Sequence, residues 1–181
     1  MSNIIIIGMA GVGKTTVGKL LAEKLDMTFF DLDKNIETRC GVEVTRIFEI
    51  EGEAGFRKRE TDELQRIFDT YSNFVLSVGG GCIVQSANRE ILCGKPSNQI
   101  IQLYADINVV IERIAKSPLK RPLFTSNVNN IIRQEKSNLV SAVNNLYLKR
   151  KSDYDSISDI MLNTSSLKPN QVVDKIIELI N

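Results

Sequence analysis

The stretch Gly8-Met9-Ala10-Gly11-Val12-Gly13-Lys14-Thr15 constrains this chain more than any other. A glycine, four intervening residues and then Gly-Lys-Thr is the P-loop spacing. Its flanks agree. Ile4 to Ile7 is an unbroken run of β-branched residues, as expected of a strand buried on both faces. Val17, Leu20, Leu21 and Leu25 then recur at helical spacing, so the loop joins a strand to a helix. Glycines let the backbone curl so that successive N–H groups point inward, and the helix N-terminus adds partial positive charge. In such a loop Lys14 reaches the β- and γ-phosphates of a nucleoside triphosphate, and the Thr15 hydroxyl ligates Mg²⁺. A dinucleotide-binding turn fails on spacing, because Thr16 stands where its third glycine belongs.

The rest of the chain repeats this alternation. Thr28 to Asp31 reads as a second strand, followed by helical stretches over about Lys34–Cys40 and Val44–Glu51. Gly52-Glu53 leads into a long helix whose buried side carries Phe56, Leu64, Ile67, Phe68 and Tyr71. Phe74 to Val78 is a third strand ending at Gly79-Gly80-Gly81, with a helix near Ala87–Cys93 and a fourth strand at Ile100–Tyr104. Asp106 is placed to cap the next helix, which carries Val109, Val110 and Ile114. Residues 116–130 are polar, hold Pro118 and Pro122 and lose all periodicity, as expected of a long loop of the lid or binding kind. Helical spacing returns at Leu139, Val140, Val143, Leu146 and Tyr147; a last strand near Ile160–Leu162 precedes a helix opened by Pro169. The expectation is one α/β domain over residues 1–181, three layers around a central five-stranded parallel sheet.

Composition excludes other classes. A net charge of +1 gives no basic excess for nucleic acid, and the apolar runs are too short for a membrane span. The chain enters its first strand with no export signal, and Cys40, Cys82 and Cys93 lack metal-ligand spacing and fit reduced thiols, so a cytoplasmic protein is expected. With 0 histidines, imidazole catalysis and His-ligated zinc are ruled out. An ordinary surface charge points to a monomer.

In parallel sheets ligands gather at the carboxyl ends of the strands. Asp31 and Asp33 follow the second strand; two apart on an extended segment they would face the same way, although Asp33 could equally cap the following helix. Gly79-Gly80-Gly81 is costly in conformational entropy and suggests close approach of backbone to a ligand, a plain flexible turn being the alternative. Arg57 and Glu60, spaced i, i+3, allow the carboxylate to hold a guanidinium ready for an anionic group. Arg121 lies in the long loop, from which it could reach a γ-phosphate as charge develops. Arg150, four before Tyr154, could serve the site or simply complement a helix terminus.

The ordered set of the P-loop at 8–15, Asp31-Leu32-Asp33, Gly55-Phe56-Arg57 with Glu60, Gly79-Gly80-Gly81, Arg121-Pro122-Leu123, and Arg150 with Tyr154 resembles the shikimate kinases. The likeness runs to about Pro169 and implies a P-loop kinase fold with an acceptor-binding region at about 33–61 and a mobile lid at about 116–130. It further implies that ATP phosphates are held by Gly11, Val12, Gly13, Lys14, Thr15 and Thr16, with Mg²⁺ on Thr15 and, through water, on Asp31. Asp33 would take the acceptor hydroxyl of shikimate, Arg57 and Arg150 its carboxylate, and Gly79, Gly80 and Gly81 its ring. Arg121 would close over the phosphates, and Arg113 and Pro169 would flank the adenine. Ser152 stands where the family commonly has proline, and Lys149 is a second basic residue beside Arg150.

Another small-molecule kinase on the same scaffold, for gluconate or a nucleotide, is the nearest rival. A GTPase-like switch would need a DxxG element and an Asn-Lys-x-Asp motif, and neither occurs in the sequence.

Overall fold

The computed structural model describes residues 2–116 and 136–180, and their side chains except those of 136–139. The chain runs β1 (Ile4–Ile7), α1 (Lys14–Leu25), β2 (Thr28–Asp31), α2 (Leu32–Cys40), α3 (Val44–Thr70), β3 (Phe74–Ser77), a 3₁₀ turn (Cys82–Val84), α4 (Ser86–Cys93), β4 (Gln99–Tyr104), α5 (Ile107–Ala115), α6 (Lys136–Ile157), β5 (Ile160–Asn163) and α7 (Pro169–Ile180). The described strands form one five-stranded sheet in the order β2-β3-β1-β4-β5, and every pairing is parallel. β1 and β3 are buried along their whole length, so helices cover both faces, as the β-branched run of β1 requires.

Strand register brings the polar stretches together. Asp31 of β2 pairs with Ser77 of β3, and Ser77 pairs with Ile6 of β1. Asp33, Gly79 and Gly8 each lie two residues beyond that row, so three distant stretches meet at one sheet edge. The chain leaves β1 toward one side for β2 and, after β3, crosses to the other side at β4. The P-loop sits at this change of direction, where open α/β sheets bind their ligands.

Three elements differ in detail from the sequence expectation. The second helix starts at Leu32, because the Asp31 carboxylate accepts the Lys34 N–H at 3.2 Å and caps it. The stretches on either side of Gly52 run on as one element bent at that glycine, whose φ of 68° and ψ of −174° only glycine adopts without strain. Glu51 and Arg59 bridge the bend, with N–O distances of 2.6 and 2.8 Å, and the Phe48 and Phe56 rings meet across it at 4.7 Å. Asp106 stands at the N-cap of α5, yet its side chain makes no capping bond; its own N–H donates to Ser165 Oγ instead.

Candidate active site

The P-loop connects β1 to α1 with Gly8, Gly11 and Gly13 at φ of 138°, 84° and 102°. A side chain there would also collide: a Cβ at Gly8 would lie 2.2 Å from the Leu103 carbonyl oxygen, and one at Gly11 2.9 Å from Ile114. The Lys14 ammonium curls back over the loop and donates to the carbonyls of Gly8 (2.8 Å) and Met9 (2.9 Å). Thr15 and Thr16 are exposed at the start of α1. Thr15 Oγ1 donates to Asp31 Oδ2 at 2.7 Å. This hydroxyl–carboxylate pair fits Mg²⁺, which takes one or two protein oxygens and completes its shell with phosphates and water. Among the described residues no group of three or more acidic or thiol side chains forms an all-protein metal cage, so a metal here would depend on the phosphates.

The two aspartates do not share an extended strand, as alternation had suggested. The helix begins between them, so Asp31 serves Thr15 and the cap of α2, while Asp33 in its first turn approaches Gly79. Asp31 is therefore the capping residue, and Asp33 is not.

Gly79, Gly80 and Gly81 each lack a side chain for a different reason. A Cβ at Gly79 would lie 2.9 Å from Glu60 Oε1 and 3.0 Å from Asp33 Oδ1. One at Gly80 would lie 3.3 Å from both the Ala10 nitrogen and the Gly8 oxygen, within the P-loop. One at Gly81 would meet Arg57 Nη2 at 2.3 Å. The turn is a seam along which the P-loop, the Asp33–Glu60 pair and Arg57 are pressed against one backbone.

Arg57 is 8% exposed and donates to Glu60 Oε2 at 2.5 Å and to Glu53 Oε1 at 3.3 Å, the spacing of i, i+3 and i, i+4 on α3. Burial opposes the charge of Arg57, but Glu60 and Glu53 more than offset it, and the guanidinium is held more basic than usual. Glu60 is fully buried, and among the described residues its Oε1 is the one buried side-chain atom without a hydrogen-bond partner. Burial pushes its carboxyl up to about 7; Arg57 pulls it down and Asp33 adds to the rise.

From α6, Arg150 Nη1 donates to the Gly80 carbonyl at 3.0 Å, and the Tyr154 hydroxyl donates to the same oxygen at 2.5 Å. Lys149, the neighbouring basic residue, is exposed. On the other flank Arg113 Nη1 reaches the Val12 carbonyl at 3.5 Å and Thr164 Oγ1 at 3.0 Å, and its Nη2 reaches the Thr164 carbonyl at 2.7 Å. Pro169 opens α7 a few residues further on. Arg121 and most of the 116–130 segment lie outside the described residues. A cavity of about 310 Å³ beside the P-loop is walled by Met9, Val12, Tyr104, Val143, Tyr147 and Tyr154. Asp33, Arg57 and Glu60 are not in its wall, so the polar cluster rather than that hollow marks the site.

Sequence reasoning missed two members. Thr164 ties Arg113 to the P-loop, its hydroxyl donating to the Val12 carbonyl at 3.1 Å, but a threonine after an edge strand carries no pattern. Glu53 backs Arg57 from one turn earlier; its i, i+4 spacing was the available signal.

A P-loop at a topological switch point, beside a cluster of two arginines and two carboxylates, fits a small-molecule phosphotransferase. The shikimate kinase family model matches residues 10–181. Curated shikimate kinases of Francisella philomiragia and Pseudomonas paraeruginosa are 37% and 36% identical, covering 96% and 98% of this chain and 92% and 95% of theirs. A solved shikimate kinase from Acinetobacter baumannii in complex with shikimate superposes with a TM-score of 0.83 at 33% identity, over 99% of this chain and 93% of that one. Another, from Bacteroides thetaiotaomicron, gives 0.86 at 28% identity, over 99% and 98%. The chain belongs to the shikimate kinase family.

Proposed function

We propose that this enzyme transfers the γ-phosphoryl group of ATP to the 3-hydroxyl of shikimate, giving shikimate 3-phosphate and ADP in aromatic amino acid biosynthesis. The observation that carries the site reading is the glycine turn, against which Asp33, Arg57 and the P-loop are packed and onto which Arg150 is hydrogen-bonded. A small hydroxy acid suits that set. Its carboxylate takes the paired guanidinium groups of Arg57 and Arg150, bidentate recognition to which arginine is suited. Its hydroxyl is left toward Asp33, next to the loop that holds the phosphates.

The transfer is in line through a loose transition state, so positioning and charge neutralisation carry most of the rate. Asp33 orients the acceptor hydroxyl by accepting its hydrogen bond and takes its proton as the new P–O bond forms. Lys14, parked on two carbonyls of its own loop, turns to the β- and γ-phosphates, and the amides of residues 11–16 cradle them. Thr15 and, through water, Asp31 would hold Mg²⁺. A metal held there would supply charge neutralisation for the transferring phosphoryl group. Arg113 and Pro169 flank the adenine, and Arg121 covers the phosphates so that water does not intercept the phosphoryl group.

ADP release from Mg-ATP is measured with shikimate, gluconate, a nucleoside monophosphate, or no acceptor. Strong stimulation by shikimate alone is the expected result. Stimulation by another acceptor instead would keep the kinase chemistry and overturn the pocket assignment.

A further inference from the structure

Tyr154 recurs beside Arg150 in the sequence, yet it has no part in phosphate binding or in gripping the acceptor. Its side chain is 1% exposed, and its hydroxyl is the nearer of two donors to the Gly80 carbonyl, at 2.5 Å against 3.0 Å for Arg150 Nη1. Burial pushes the phenol pKa up, with Arg150 beside it pulling the other way, so the hydroxyl stays a donor throughout the working pH range. The carbonyl it holds belongs to the glycine packed within van der Waals reach of the P-loop at Ala10 and Gly8.

The two donors have different fates once substrate arrives. A guanidinium drawn onto the acceptor's carboxylate can turn its Nη1 away from the Gly80 oxygen, the one contact it makes there. Without a second donor that half-buried carbonyl would lose its protein partner, a cost for a backbone group. We propose that Tyr154 is a positioning residue: its hydroxyl keeps the Gly80 carbonyl, and with it the glycine turn, in place while Arg150 exchanges that carbonyl for the carboxylate of the acceptor. The inference rests on the reading of Arg150 as a carboxylate ligand. It adds the reason why the arginine can leave without the turn moving against the P-loop.

Tyr154→Phe removes only the hydroxyl and keeps the buried ring. Loss of one such hydrogen bond is expected to raise the KM for shikimate about five- to tenfold, with the KM for ATP changing less than about twofold. A merely structural role would lower the melting temperature and the active fraction while leaving both KM values alone, and that result overturns the proposal. Arg150→Ala is measured beside it. If that variant raises the KM for shikimate and Tyr154→Phe does not, the proposal fails and the function stands. If Arg150→Ala leaves that KM unchanged, the carboxylate assignment itself is wrong and the proposal falls with it.

The wild-type protein offers a test independent of whether the variant folds. Glycine labelled at both carbonyl carbon and nitrogen couples only across consecutive glycines, and the sequence has such pairs only at Gly79-Gly80 and Gly80-Gly81. On addition of shikimate the Gly80 carbonyl signal should shift, reporting loss of one donor, yet remain that of a hydrogen-bonded carbonyl. An unmoved signal, or one typical of an unbonded carbonyl, would overturn the exchange.

Discussion

The two halves of the site are built on opposite plans. The proposed phosphate cradle of the donor half is a single unbroken stretch, residues 8–16, whose binding groups would be mostly backbone amides. Even its one charged side chain folds back onto its own loop. The proposed acceptor half is assembled from α2, α3, the turn after β3, and α6, and nearly all of the groups assigned to it are side chains. Backbone sites are fixed by local conformation, so their chemistry depends on glycines at set positions. A side-chain site assembled across the fold depends on buried partners that hold its parts in place, here Glu60 under Arg57 and Tyr154 on the Gly80 carbonyl.

That contrast makes separable predictions. Lys14→Ala should strike the donor half alone: kcat falls on the order of 10³-fold, as expected for removing a charge that stabilises the transferring group, while shikimate binding measured without nucleotide stays intact. Steady-state kinetics with a binding titration checks both. A loss of shikimate affinity would mean that the halves are not independent.

Arg57→Ala should act on the acceptor half in two ways. The KM for shikimate rises on the order of a hundredfold, and stability drops by about 3 kcal/mol, because Glu60 is left buried without its ion-pair partner. Adding Glu60→Gln to that variant should recover most of the stability and none of the affinity. Denaturant unfolding beside shikimate titration reads the two effects apart.

Gly81→Ala is a milder probe. The backbone there has φ of −105°, which alanine accepts, so the nearest atoms that a Cβ meets are those of the Arg57 guanidinium, Nη2 at 2.3 Å, Cζ at 2.9 Å and Nη1 at 3.1 Å. The KM for shikimate should rise about tenfold with the melting temperature nearly unchanged, since a guanidinium moved off its geometry loses its bidentate grip. Equal effects on ATP and shikimate would show that the turn, not the arginine, had moved.

The smallest effect is in the pH dependence. The Glu60 carboxyl is raised from 4.5 to about 7, chiefly by burial, so the folded state holds a proton that the unfolded chain has lost across that window. Its contribution to stability is full below about pH 4.5 and is lost as pH rises to about 7. Glu63 works the other way: Arg66 and Arg39 outweigh burial and hold its pKa below 4.5, so its stabilisation is lost only as pH falls beneath that value. Unfolding free energies of the wild type and Glu60→Gln between pH 4.5 and 7.5 should diverge steadily, with the variant the flatter of the two. Parallel curves would place the proton elsewhere.

The contrast also explains what the sequence disclosed. The P-loop, the strand–helix alternation and the parallel sheet were legible because each rests on local spacing. Arg57 with Glu60 was legible as an i, i+3 pair, but not the complete burial of Glu60 or its unpartnered oxygen, because both depend on what packs over α3. The triple glycine signalled close approach without saying to what; its neighbours come from three other stretches brought together by strand register. The Asp31–Asp33 expectation erred where a cap competed with strand alternation. Asp31 accepts the Lys34 N–H, the helix starts one residue later, and the two aspartates no longer share one extended segment. Thr164 was invisible, since one threonine has no period.

The bend at Gly52 has a consequence for how α3 comes apart. Hydrogen bonds running through an unbroken helix make it open as one cooperative unit, and a residue outside helical geometry cuts that chain. Val44–Glu51 is then a two-turn unit with Ile50 63% exposed, fastened mainly through buried Ile47, the Phe48 ring and the surface pair from Glu51 to Arg59. Its amides should exchange with solvent deuterium well before those of Phe56–Phe68. High salt, which screens an exposed ion pair, should widen the gap. One element by outline, α3 is two in the order of its unfolding.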